Sequence, residues 1–184
     1  MSNWRCYVTY KTHVAFALAA TIPISNYAYG LNSLESFMFL GAVSLAALAP
    51  DLDEEGSYLS KKLPIFPMFF KLFGVKHRGV THRAISVVFL IFLFLIIGYL
   101  DENTRVHLPL YFGFLAGWSF HLAGDMLTKG GINQFFYPFS KTKAVLLPRK
   151  YRFYTASMNE FLVFTLLFGI VVIQSMYFTG VINV

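Results

Sequence analysis

Five apolar runs separated by basic stretches constrain this chain more than any other feature. They read as membrane segments at residues 13–30, 35–50, 83–100, 108–128 and 159–182. The third ("RAISVVFLIFLFLIIGYL"), fourth ("LPLYFGFLAGWSFHLAGDMLT") and fifth ("NEFLVFTLLFGIVVIQSMYFTGVI") meet or approach the ~20 residues needed to cross a bilayer. The first two are shorter, and Pro23 interrupts the first, so they are expected as a tight hairpin or as helices buried against the others. Only 13% of the 184 residues are charged and 57% are hydrophobic, too little charge to clothe a water-soluble surface. The expected fold is an all-α integral-membrane helical bundle, a single domain over 1–184, with two longer cytoplasmic loops.

The net charge of +6 does not imply a nucleic-acid partner, because the basic residues sit between apolar runs and form no patch on a polar domain. Of the 15 Lys and Arg residues, all but Arg105 precede the first segment or fall within 51–83 and 129–158. The positive-inside rule then places the N terminus and both long loops in the cytoplasm of a multi-pass inner-membrane protein, with the C terminus outside. Arg5 and Lys11 before "VAFALAATIPI" also suit a signal peptide, but a second apolar run follows almost at once, which favours a retained segment. The stretch "PIFPMFFKLFGVK" at 64–76 is too short and broken to span, and is expected to lie on the cytoplasmic leaflet. Cys6 is the only cysteine, so any metal site must use His, Asp and Glu.

With that orientation, four of the five histidines and most carboxylates gather on the cytoplasmic side; Glu35, Asp101, Glu102 and His107 fall outside. In "FHLAGDMLTKGG", His121 and Asp125 share one helix face. They either satisfy each other or begin a metal site, since ionisable groups inside a membrane segment are costly and commonly functional. In "APDLDEE", an extended strand would send Asp51 and Asp53 to one side, where a cation or proton would have to separate them; a solvated acidic loop is the ordinary alternative. In "HRGVTHR", His77 and His82 can serve one site only if a helix starts between them, with Gly79 turning the chain and Thr81 as N-cap; Arg78 could grip a phosphate, or the cluster could rest on anionic lipid. His13 opens the first segment as an interfacial residue or a ligand, and Ser157 with Glu160 forms a capping-box pattern at the fifth.

The early His, "PDLD", "HRGVTH", "HLAGD" and "RFYTASMNE", in that order, resemble the YdjM-like family of membrane-bound metal-dependent hydrolases over nearly the whole chain. One departure is Arg83, where family members often carry Ser. The resemblance implies a multi-helix membrane fold and metal-dependent hydrolysis. A more distant likeness to helical zinc-dependent phospholipases C carries His13, Asp51, His82, His121 and Asp125 over as metal ligands. The expected cofactor is one or two divalent ions, zinc first, with manganese or iron as alternatives. In that reading Asp53, His77 or Glu160 acts as general base or orienter. Arg78 and the "PRKYR" cluster (Arg149, Lys150, Arg152) hold an anionic head group, and the substrate is a lipid-linked or membrane-adjacent phosphoester. The competing expectations are a structural metal, a transporter ion or proton site, and an inert membrane protein with a polar cytoplasmic face.

Overall fold

The computed structural model describes residues 9–54, 56–72 and 79–182. Its helices are α1 (Tyr10–Tyr29), α2 (Leu34–Ala46), α3 (Tyr58–Lys62), α4 (Ile65–Leu72), α5 (Ala84–Leu100), α6 (Thr104–Met126) and α7 (Met158–Phe178). Two 3₁₀ turns, Ala49–Asp53 and Val80–His82, join them, and among the described residues the only β pairing is two isolated bridges in the loop after α6. The five expected membrane segments thus correspond to α1, α2, α5, α6 and α7. The segment from Leu34 through Asp53 and helix α7 are long and apolar enough to cross a membrane, and α5 is a shorter apolar helix. Helices α1 and α6, with 20 and 23 residues, are also long enough, at ~1.5 Å per residue, but carry more polar side chains. They can do so because they form the interior of the bundle: α6 packs on α2, α1 and α5, and α1 packs on α7 and α2.

Helices α2 and α6 meet in a close seam. Gly113 and Gly117 of α6 meet the backbone of α2, where a Cβ would overlap Phe39 O and Val43 O respectively. Small residues four apart permit this approach between membrane helices, where packing replaces the hydrophobic effect as the adhesive. Phe39, Val43 and Ala47 of this seam form one buried core with Ala17 of α1. On α1, Pro23 interrupts the apolar run but not the helix. Proline removes the N–H that would bond to the carbonyl four residues earlier, and here the side-chain Nε2 of Gln174 in α7 donates to that carbonyl, Ala19 O, at 3.2 Å. The orphaned acceptor is satisfied from a neighbouring helix, so α1 runs on to Tyr29.

The loop after α6 folds back over the ends of α5 and α6. Ile132 and Ala144 exchange backbone hydrogen bonds, and Ile132 packs with Leu122 and Met126. Arg83 is accommodated here: its Nη2 donates to Gln134 Oε1 at 2.9 Å and its guanidinium lies 4.4 Å over the Tyr137 ring. The apolar stretch from 64 contains α4, an eight-residue helix whose Ile65, Met68 and Leu72 are exposed. At the opposite end of the bundle Asp101 Oδ2 accepts from His107 Nδ1–H at 2.7 Å and Tyr111 O–H at 2.9 Å. The His107 bond holds the Asp101 carboxyl below the usual carboxylate range.

Candidate metal centre

Five side chains meet where the first turn of α1, the end of α6 and both 3₁₀ turns converge: His13, Asp51, His82, His121 and Asp125. His82 Nε2, His121 Nε2 and Asp51 Oδ1 form a closed triangle with edges of 3.3, 3.3 and 3.6 Å. Asp125 reaches in from the next turn of α6, with Oδ2 3.7 Å from His82 Nε2 and Oδ1 3.7 Å from His13 Nε2. The His13 and His121 rings stack with centroids 3.9 Å apart. His13, His82, His121 and Asp125 are almost wholly buried, whereas the Asp51 side chain keeps 20% of its surface exposed.

These spacings are longer than a good N–H···O bond of ~2.7–3.2 Å. They are close to the ~3.3 Å that separates ligands around a tetrahedral ion bound at 2.0–2.1 Å. The sets His13–Asp51–His121 and His82–His121–Asp125 each offer ligand atoms within 4.8 Å of one another. One buried and one partly exposed carboxylate with three buried imidazoles also make a charge and donor set that a divalent cation balances. The residues present therefore fit the metal expected from sequence.

The outer nitrogens of two of the rings are engaged elsewhere. His121 Nδ1–H donates to Ala47 O at 2.7 Å, leaving the Nε2 lone pair toward the cluster. Behind His82, Thr81 Oγ1 donates to Asp53 Oδ2 at 2.6 Å, so it accepts from His82 Nδ1–H at 3.0 Å. A carboxylate–hydroxyl–imidazole chain thus turns His82 Nε2 inward, the arrangement that orients metal-binding histidines. The space for His13 comes from Gly124, where a Cβ would lie 3.0 Å from His13 Nδ1.

Two local expectations are corrected. Residues 49–53 form a 3₁₀ turn instead of an extended strand. At three residues per turn, positions two apart diverge, so Asp51 meets the Nε2 side of His82 and Asp53 the Nδ1 side. Thr81 does not cap a helix; Arg83 is the N-cap residue of α5, and His82 precedes the helix in its own 3₁₀ turn. Glu160 is buried at the start of α7, its backbone N–H donating to Ser157 Oγ as the capping pattern predicts. Its carboxylate, however, accepts Thr9 N–H and Ala156 N–H, both at 2.6 Å, tying the starts of α1 and α7 together. Arg149 is exposed and Arg152 Nε donates to Leu147 O at 2.6 Å; neither lines the cavity beside Asp51. His77 and Arg78 lie outside the described residues. Thr81 as a relay, the Ala47 carbonyl and the role of Gly124 were missed from sequence. The spacing of Gly113, Gly117, His121 and Gly124 was the available signal, since it marks one close-packed face of α6.

Beside the cluster, Asp51 opens on a cavity of about 590 Å³ between the start of α1, the segment Glu54–Tyr58 and the start of α7. No curated protein and no solved structure matches this chain. The family model described as YdjM inner membrane protein matches residues 8–182, nearly the whole sequence including all five clustered residues, and the chain belongs to that family of membrane proteins.

Proposed function

We propose that the protein is a metal-dependent hydrolase of the inner membrane, acting on a phosphoester at the cytoplasmic face. The observation that carries this reading is the closed triangle of His82 Nε2, His121 Nε2 and Asp51 Oδ1, with both ring tautomers set by hydrogen bonds on the far side. His13, Asp51, His82, His121 and Asp125 would hold the ion, zinc or an alternative such as manganese or iron. When bound, it supplies Lewis acidity toward a phosphoryl oxygen and makes water at the site more acidic. Hydrolysis adds one water across a P–O bond and yields an alcohol and a phosphate. Asp53 acts through Thr81 by orienting His82, and Asp51 faces the cavity through which substrate reaches the cluster. His77 is the proton acceptor of this reading, and Glu160, which lines the same cavity, fixes that wall by holding the starts of α1 and α7 together. The sorting of Lys and Arg residues supports a cytoplasmic placement.

Near-complete burial of four of the five residues favours a second reading, a closed structural metal that staples α1 and α6 to the two 3₁₀ turns. One experiment separates the readings. Tag-free protein is purified in detergent, its metal content is measured by mass spectrometry, and hydrolysis of bis-p-nitrophenyl phosphate is followed. The hydrolase reading expects stoichiometric metal and turnover, both lost in a still-folded His121→Ala, Asp125→Ala variant. Metal without turnover on any phosphoester supports the staple, and no metal after resupply removes both.

A further inference from the structure

The cluster can be reached from only one direction among the described residues. Four of its members are buried to within 1% of complete, and Asp51 alone is open, into the cavity of about 590 Å³. That volume is in the ~300–1,000 Å³ range of sites for small organic molecules. Its walls are of two kinds. The polar part carries Lys11, Thr12 and Thr155 together with the carboxylates of Asp51, Glu54 and Glu160, a set that suits a zwitterionic head group or an anion held beside a divalent ion, and the Thr155 Oγ1 atom is buried with no hydrogen-bond partner among the described residues. The apolar part includes Phe161 and Phe164, from the first two turns of α7.

Helix α7 is predominantly apolar, and the window that qualifies it as a membrane span has no buried residues. Phe161, 60% exposed, therefore borders both the cavity and the surface available to lipid. A second, smaller space of about 130 Å³ continues between α1 and α7, from Thr12 past Phe16 to Val163 and Leu167, with an apolar lining. Thr12 borders both spaces. A soluble phosphoester would use the hydroxyls and Lys11 but leave the two phenylalanines and the inter-helix groove with nothing to cover them. An amphiphile uses all of these features.

We propose that the cavity receives the head group of a bilayer phospholipid laterally, along the α1–α7 side, with its phosphoester toward Asp51 and Lys11 and an acyl chain on Phe161 and Phe164. This inference rests on the hydrolase reading for its chemistry, though the lipid site can be tested without catalysis. Full-length protein is reconstituted in nanodiscs of phosphatidylethanolamine and phosphatidylglycerol. A fraction of the phosphatidylglycerol carries a diazirine near the carbonyl end of one acyl chain. Irradiation and peptide mass spectrometry then locate the adducts.

The expected result is labelling concentrated on 10–12 and 155–164, falling about tenfold in Phe164→Ala, the loss that removing one well-packed aromatic side chain brings. Adducts spread evenly over the outward faces of α5 and α7, unchanged in Phe164→Ala, would overturn the proposal. Phe89→Ala, on the exposed face of α5, controls for general effects on packing. Hydrolysis is scored separately. Cavity labelling without turnover keeps the lipid site and removes the hydrolase. Turnover of bis-p-nitrophenyl phosphate without cavity labelling keeps the hydrolase and removes the lipid site.

Discussion

Replacing Gly117 by Ala will weaken metal binding although Gly117 touches no ligand. A Cβ there overlaps Val43 O and sits 2.9 Å from Ala46 Cβ and 3.0 Å from Ala47 N, in the last turn and C-cap of α2. Backbone atoms cannot rotate away, so α6 must move from α2 by on the order of 1 Å to restore ordinary contact. One turn later on α6, His121 Nδ1 donates to Ala47 O at 2.7 Å. The same displacement stretches this bond beyond the ~3.2 Å limit of a good hydrogen bond. It also releases the orientation of Nε2 within the 3.3 and 3.6 Å edges of the triangle. Losing an orienting bond behind a histidine ligand lowers metal affinity by about 10–100-fold, and overpacking the seam costs about 1–3 kcal/mol of stability. The assay is chelator competition for zinc in detergent, alongside thermal unfolding monitored by circular dichroism. Gly41→Ala and Gly169→Ala, each with nothing within 4 Å of the added Cβ, should leave affinity unchanged. A folded Gly117→Ala protein that binds zinc within twofold of wild type would refute the idea that the α2–α6 approach sets the site.

Thr81→Val removes the hydroxyl between Asp53 and His82; zinc affinity is expected to fall about 10–100-fold, and Asp53→Asn added to it should cost little more, because both act through one chain. Equal and additive losses in chelator competition would argue against the relay. Glu160→Gln converts one of two backbone acceptors into a donor, which should cost about 1–3 kcal/mol, read as a lower thermal midpoint in detergent; an unchanged midpoint would show that the α1–α7 tie is dispensable. Gln174→Leu strands Ala19 O and should destabilise by roughly 0.6–2 kcal/mol, whereas in a Pro23→Ala background residue 23 can donate to that carbonyl and the same change should be nearly neutral. Because its folded value is depressed, Asp101 contributes stability above the ordinary carboxylate pKa of about 3.9 and loses it as pH falls through the folded value. An NMR titration should show the Asp101 midpoint rising in His107→Phe, and no change would rule out His107 as the cause.

Sequence by itself determined the class of fold and the chemistry available. Runs such as 83–100 and 159–182 can only be solvated by lipid or packed helices, a property of composition and length that needs no partner to be read. The i, i+4 spacing of His121 and Asp125 fixes them to one side of α6 for the same reason: helix geometry is local. Local rules failed where a distant group changed the outcome. Pro23 reads as a break until Gln174, 151 positions on, supplies a donor to the carbonyl the proline leaves bare. Asp51 and Asp53 read as a pair until a 3₁₀ turn places them on opposite nitrogens of His82. The family likeness named His13, Asp51, His82, His121 and Asp125 as a ligand set, but the distances at which they meet belong to the tertiary structure. Ångström-scale distances between residues up to 112 positions apart depend on how closely helices approach, and that approach is set by the absence of side chains at Gly113, Gly117 and Gly124.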